Sequence, residues 1–171
     1  TGMVGQRFIA LLENHPWFEV VTVAASPRSA GKTYEEAVGD RWKMTTPMPE
    51  AVKKLVVMNV NEVEKVAAEV DFVFSAVDMS KDEIKAIEDA YAKTETPVVS
   101  NNSAHRWTPD VPMVVPEINP EHYEVIKYQK ERLGTKKGFV AVKPNGSIQS
   151  YAPVLTARKE VGPKEVLATT Y

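Results

Sequence analysis

The 171-residue sequence contains no cysteine, which removes a whole set of possible sites. Without a thiol the chain as written can form no disulfide, no thiolate metal site and no cysteine nucleophile. Its three histidines, His15, His105 and His122, are scattered along the sequence. We therefore expect no metal site, because a site needs several ligands that converge.

Charge of one sign and long apolar stretches are also lacking. The formal net charge is −2, so no strong overall field favours nucleic acid or an anionic membrane. No apolar run approaches the roughly 20 residues that a membrane-spanning helix needs. We expect neither nucleic acid nor membrane as a partner. What is present, 43% hydrophobic and 26% charged residues, is ordinary for a globular domain.

Short apolar runs alternate with segments of helical periodicity along the chain. The apolar runs are typical of strands covered on both faces and occupy residues 19–26, 55–58, 70–77, 97–101 and 138–143. The helical segments are 2–18, 80–93 with Ser80 as N-cap, and 119–134 with Asn119 as N-cap and Gly134 as its end. This alternation predicts an α/β fold with a doubly wound, mostly parallel sheet.

Both ends suggest an internal piece of a longer protein. The chain opens with the loop TGMVG and without an initiator methionine. It closes with EVLATTY, residues 165–171, which alternates like a strand that needs a partner. The last stretch could therefore start an antiparallel sheet in a second domain.

The opening loop resembles a phosphate-binding turn. Gly2 and Gly5, followed at once by a helix, match the last two glycines of a dinucleotide-binding loop. The N–H groups and dipole of the helix start would face the phosphates. The motif is short, and a plain loop at a helix start explains it equally well.

The next predicted strand strengthens the case for a dinucleotide. A fold that prefers NAD places an acid about 20 residues on, at the end of its second strand. Ser26 lies 21 residues after Gly5, and the chain there has no acid but offers Ser26, Arg28, Ser29 and Lys32. Hydroxyls and a guanidinium suit the 2′-phosphate of NADP. The alternative is a polar surface loop with an incidental arginine.

Six ordered segments resemble the aspartate-semialdehyde dehydrogenase family, in its archaeal and fungal type. They are TGMVGQRFIALL, AASPRSAGK, FSA, SNNSAHR, VVPEINPEH and VKPNGSIQ, and the likeness covers essentially the whole chain. It implies a Rossmann-like NADP-binding domain over residues 1–146, whose first strand precedes Thr1, and the start of an α+β catalytic and dimerisation domain over residues 147–171. It also implies a homo-oligomer when full length and a cytoplasmic location. The cofactor contacts it implies are Thr1, Gly2, Met3, Val4, Ser26, Arg28, Ser29, Ser75 and Ala76.

The family reduces 4-aspartyl phosphate to aspartate semialdehyde with NADPH, in the biosynthesis of lysine, threonine and methionine. Its cysteine nucleophile lies in the segment that here is Pro144, Asn145, Gly146, Ser147, so Gly146 occupies the cysteine's place. The resemblance also implies that Arg106 binds the substrate phosphate, and Gln149 is a further candidate substrate contact. Ser147 is a poor substitute for the thiol, because a serine without a base is a weak nucleophile. As written, we expect the chain to be inactive.

Other functions stay open at this point. Malonyl-CoA reductase is a close relative of the archaeal type, and N-acetyl-glutamyl-phosphate reductase shares the TGxVG start and the pair His15-Pro16. A catalytically silent NADP-binding homologue would explain Gly146 without any lost activity. A doubly wound domain that binds some other nucleotide is the remaining alternative.

Overall fold

A computed structural model describes residues 1–169 of the chain. Its helices and strands follow one another in an alternating order. They are α1 (Met3–Leu12), β1 (Ala24–Ala25), α2 (Tyr34–Val38), α3 (Glu50–Lys53), β2 (Met58–Asn59), α4 (Val63–Ala67), β3 (Val73–Ser75), α5 (Lys81–Lys93), β4 (Val98–Ser100), α6 (Ile126–Leu133), β5 (Val140–Val142) and α7 (Gly146–Ala157), with 3-10 turns at Gly39–Arg41, Pro120–Val125 and Lys159–Val161.

All strand pairs in the described residues are parallel, which confirms the α/β prediction. β1 pairs with β2, and β3, β4 and β5 form a three-stranded sheet in that order. Val73, Val98 and Val140 are in register across this sheet. Because the strands are parallel, their carboxyl ends meet at one edge, and the loops that follow them are neighbours.

The strands are shorter than the apolar runs that predicted them. The run 19–26, for example, contains only the two residues Ala24–Ala25 in ladder geometry. Val20 and Val23 nevertheless pack against a core that includes Ile9, Val38 and Val57. Burial requires only an apolar side chain, whereas a strand requires a hydrogen-bonded neighbour, so the sequence pattern overestimates strand length.

One core connects the two sheets. Val98, Val140 and Val142 of the three-stranded sheet pack with Val60, which follows β2, and with Tyr91 of α5. The Tyr91 hydroxyl donates a 2.9 Å hydrogen bond to the Val60 carbonyl oxygen, so the buried phenol is satisfied. This arrangement places α5 directly behind the strand ends from which the candidate site is built.

The predicted caps are confirmed at Ser80 and Gly134, whereas Asn119 occupies the predicted N-cap position before Pro120 without a side-chain cap. Ser80 and Glu83 form a reciprocal capping box at the start of α5. Gly134 ends α6 in the left-handed region at φ 69°. The Asn119 side chain makes no cap, because its Oδ1 accepts from the Val115 N–H and its Nδ2 donates to the Met113 carbonyl. Residues 120–125 are therefore a 3-10 turn, and α6 begins only at Ile126.

The strand predicted over residues 165–171 is absent from its described part. Residues 165–169 belong to no helix or strand, and residues 170–171 lie outside the described residues. Alternating side chains alone cannot make a strand without a hydrogen-bonding neighbour. The domain division after residue 146 falls in the first turn of α7 and stays a prediction.

Candidate active site

The turn between β5 and α7 leads to Gly146, the position at which the resemblance predicts the family's cysteine nucleophile. Asn145 caps α7, because its Oδ1 accepts a 2.9 Å hydrogen bond from the Ser147 N–H. Gly146 is exposed as the first residue of the helix, and its φ is not positive. A Cβ built there would meet only the Lys143 Nζ, at 3.9 Å. Neither the backbone conformation nor the space around a Cβ requires glycine at this position.

Arg106 reaches this turn from the loop after β4. Its Nε donates to the Lys143 carbonyl oxygen at 3.1 Å, and its Nη2 lies 3.4 Å from that of Pro144. These bonds fix the plane of a half-buried guanidinium beside position 146. Among the described residues, no carboxylate forms an ion pair with Arg106. The predicted phosphate ligand thus lies at the turn, and its role stays a prediction.

Lys143 is a second cation at the same turn, and the sequence analysis gave it no role. Its Nζ donates to the Pro144 carbonyl oxygen at 3.2 Å. Burial lowers the pKa of the Lys143 ammonium, and the positive charge of Arg106 lowers it further. The sequence could have indicated this cation, because Lys143 lies between the buried strand β5 and the polar turn.

A buried carboxylate behind the site holds its loops together. Glu88 of α5 is 1% exposed. Its Oε1 accepts hydrogen bonds from Ser75 at 2.7 Å, Ser100 at 2.6 Å and Asn102 at 2.9 Å. These three donors lie at the ends of β3 and β4 and in the loop that leads to Arg106. Glu88 was also missed, although it lies one helical turn after Ile84 on the buried face of α5.

Ser75, a predicted cofactor contact, has both its hydroxyl and its backbone carbonyl hydrogen-bonded within the protein. The Ser75 hydroxyl donates to Glu88, and the Ser75 carbonyl accepts from the Asn101 N–H at 2.9 Å. Ser75 is buried, and Ala76 follows it half-buried. Both residues lie at the carboxyl end of β3, where a ligand of a doubly wound sheet binds. Contact of Ser75 and Ala76 with a cofactor stays a prediction.

The opening loop has the exposed helix start that a phosphate site needs. Gly2 precedes α1 in an extended conformation, and Met3 and Val4 are 66% and 43% exposed. The first N–H groups of a helix have no partner within the helix. The loop is anchored by buried Gln6, whose Nε2 donates to the Thr1 carbonyl at 3.0 Å. A Cβ built at Gly2 or at Gly5 would have no contact within 4 Å among the described residues.

The residues predicted to bind the 2′-phosphate form a turn directly after β1. The Ser29 N–H donates to the Ser26 carbonyl at 2.9 Å, which closes the turn around Arg28. Ser26 and Arg28 are exposed, and Ser29 is half-buried. Arg28 forms no ion pair within residues 1–169, so its guanidinium is available to an anionic ligand.

His15 and His122 have structural roles away from the turn. His15 Nδ1 accepts from the backbone N–H groups of Trp17 and Phe18, each at 3.2 Å. His122 Nδ1 lies 3.2 Å from the Met113 backbone nitrogen and 3.1 Å from the Met113 carbonyl oxygen. Within residues 1–169, no three potential ligands converge as a metal site.

His105, the neighbour of Arg106, points into the protein. Its Nδ1 lies 3.1 Å from the Thr108 hydroxyl, and its Nε2 lies 3.3 Å from Asp89 Oδ1. Asp89 also pairs with Arg132 of α6 at 2.9 Å. Burial alone would raise the pKa of Asp89, but the nearby His105 imidazole and the hydrogen-bonded Arg132 guanidinium outweigh it and hold that pKa below its usual value. This cluster anchors the base of the loop that carries Arg106.

Gln149 lies one turn into α7. Its side chain is half-buried, and its N–H lies 3.4 Å from the Asn145 carbonyl. An open groove beside Gly146 is bounded by Ser147, Ser150 and Tyr151 of α7 and by residues 167–169. A substrate contact by Gln149 stays a prediction.

Comparison with known proteins places the chain in a family. Residues 1–126 match the model of the semialdehyde dehydrogenase NAD-binding domain. The chain belongs to the semialdehyde dehydrogenase family. This membership accounts for the parallel α/β domain.

The relatives of this semialdehyde dehydrogenase domain include fungal and archaeal enzymes. An aspartate-semialdehyde dehydrogenase of Cryptococcus neoformans is 39% identical over 99% of this chain and 46% of its own length. One from Methanothermobacter thermautotrophicus is 44% identical over 86% of this chain and 40% of its own. The chain therefore spans about half the length of the curated relatives it matches.

A solved relative gives the same fold. The crystal structure of aspartate-semialdehyde dehydrogenase with NADP from Candida albicans superposes with a TM-score of 0.76 at 38% identity. The match covers 95% of this chain and 46% of that one. In the part of the chain that the structure describes, no helix combines the length and the apolar character needed to cross a membrane.

Proposed function

We propose that this chain is the NADP-binding part of an aspartate-semialdehyde dehydrogenase, with glycine at the position of the nucleophile. The complete enzyme would reduce 4-aspartyl phosphate to aspartate semialdehyde and release phosphate. The observation that carries the proposal is the convergence of Arg106 on the turn at residues 143–146. There, position 146 begins a helix and has room for a side chain.

In this proposal a cysteine at position 146 attacks the acyl carbon of the substrate. A carbon–sulfur bond forms, the bond to the phosphate oxygen breaks, and phosphate leaves. Arg106 binds the phosphate and neutralises its charge as it departs. The N–H groups at the start of α7 stabilise the oxyanion. Gln149 and Asn145 orient the substrate carbon against position 146.

NADPH supplies the hydride that converts the thioester to the aldehyde and frees the sulfur. The residues present fit this cofactor. The exposed helix start at Thr1, Gly2, Met3 and Val4 suits the pyrophosphate. Arg28, with Ser26 and Ser29 in the same turn, offers a guanidinium and hydroxyls to the 2′-phosphate.

The test is turnover by the full-length protein as it stands and with Gly146→Cys. NADPH oxidation is followed with 4-aspartyl phosphate, and malonyl-CoA serves as the control substrate. We expect activity in the cysteine variant alone and only with the acyl phosphate. Turnover of malonyl-CoA instead would assign the chain to the related reductase.

Gly146 favours a second candidate, a catalytically silent NADP-binding homologue. It predicts tight NADPH binding but no turnover by either form. That result would refute the enzymatic proposal. We further propose that the full-length protein is a cytoplasmic homo-oligomer, which light scattering on the purified protein and fractionation of the source cells would test.

A further inference from the structure

Two cations lie side by side at the turn without an acidic partner. Arg106 donates to the Lys143 carbonyl, and the Lys143 ammonium donates to the carbonyl of Pro144. Neither forms an ion pair with a carboxylate in the described part of the chain. Like charges held this close repel each other, and partial burial strengthens the repulsion. An anion between them would remove that cost.

Position 146 is where such an anion would lie. Outside its chain neighbours and its own helix backbone, the nearest heavy atom to a Cβ at this position is the Lys143 Nζ, at 3.9 Å. The sulfur of a cysteine is one bond beyond Cβ, so a rotamer directed at Lys143 brings sulfur and ammonium into contact. Lys143 is three residues before position 146 and directly follows β5. Its N–H donates to the Ser100 carbonyl at 3.0 Å, which ties its backbone to the neighbouring strand β4.

We propose that Lys143 is a positioning residue whose ammonium holds a cysteine at position 146 as its thiolate. This inference rests on the proposed function, in which position 146 carries the nucleophile. The thiolate is the reactive form of cysteine, and a neighbouring cation favours it over the thiol. In return, the thiolate relieves the repulsion between Lys143 and Arg106.

The other groups that face position 146 act in the same direction or are neutral. Arg106 adds a second positive charge, and the start of α7 contributes the positive end of its dipole. Asn145 and Ser147 are uncharged. Lys143 is the group nearest to the Cβ, so its removal should have a measurable effect while Arg106 remains.

The experiment measures the thiol pKa at position 146 without requiring turnover. The full-length protein with Gly146→Cys is compared with the same variant carrying Lys143→Met, Lys143→Arg or, as a matched control, Lys93→Met. Lys93 is exposed in the last turn of α5, at the opposite end of the sheet. The rate of iodoacetamide alkylation is followed against pH by mass spectrometry of the peptide that contains position 146.

We expect Lys143→Met to raise the thiol pKa by about one unit. Alkylation below both pKa values should slow about three- to fourfold, because the tenfold smaller thiolate fraction is partly offset by a more nucleophilic thiolate. Lys143→Arg should retain most of the effect, because it keeps the charge. Lys93→Met should change nothing. An unchanged thiol pKa in a folded Lys143→Met variant would overturn the proposal, as would an equal shift in the Lys93 control.

A salt titration keeps the proposal testable if Lys143→Met fails to fold. In the Gly146→Cys protein alone, sodium chloride should raise the thiol pKa, because it screens the partly exposed cations. A salt-independent pKa would also refute the role of Lys143. A lowered thiol pKa in an inactive protein would refute the proposed function alone, whereas turnover with a pKa indifferent to Lys143 would refute this inference alone.

Discussion

Replacing Glu88 with alanine should destabilise the protein severely. Glu88 is 1% exposed, and its Oε1 is the shared acceptor for the Ser75, Ser100 and Asn102 side chains. Each buried donor left without a partner costs about 1–3 kcal/mol. Asn102 is half-buried, so its side chain can bind water in place of Glu88. We therefore expect a total loss of about 3–5 kcal/mol in the free energy of unfolding.

Urea unfolding, monitored by circular dichroism, measures this loss. For a chain of this length the same loss lowers the melting temperature by roughly 10 °C. Glu88→Gln keeps an acceptor oxygen and should cost only about 1 kcal/mol. Lys93→Ala, on the exposed face of the same helix, is the control and should change little. A loss below about 1 kcal/mol in Glu88→Ala would refute the idea that this carboxylate joins the site loops.

Three further predictions follow from single positions. Gly138→Ala should lower the free energy of unfolding in urea by about 3 kcal/mol or more, because the new Cβ would lie 1.8 Å from a carbonyl oxygen of α5. Gly146→Ala has open space around it and should be nearly neutral. Equal losses in the two variants would contradict this explanation. Arg132→Met should reduce stability at pH 7 more than at pH 2, because Arg132 helps to lower the pKa of Asp89 in the folded state. The stabilising contribution of Asp89 is present above its unfolded pKa and is lost as the pH falls through its folded pKa. Urea titrations at both pH values check this, and a pH-independent loss would contradict it. Arg28→Ala should weaken NADPH binding by about tenfold and leave NADH binding unchanged in calorimetric titrations; equal weakening of both cofactors would argue against a 2′-phosphate contact.

Much of the fold was predictable because it depends on local patterns. Alternating apolar runs and helical stripes indicated a parallel α/β sheet, and Ser80 and Gly134 marked helix ends by chemistry confined to one turn. Asn119 failed as a cap because its side chain binds backbone groups of Met113 and Val115 earlier in the chain. The strand expected near the end of the chain failed because a strand also needs a neighbour.

The candidate site divides in the same way. The sequence by itself determined the segment types: a helix-start loop at Gly2, a turn with Arg28, and a helix start at position 146 that lacks a thiol. Only the tertiary structure decided that the Arg106 side chain binds the turn that carries Lys143 and that Glu88 supports the surrounding loops. Those contacts join residues far apart in the chain or depend on how a turn is oriented. Their geometry follows from strand order and packing, which no local pattern specifies.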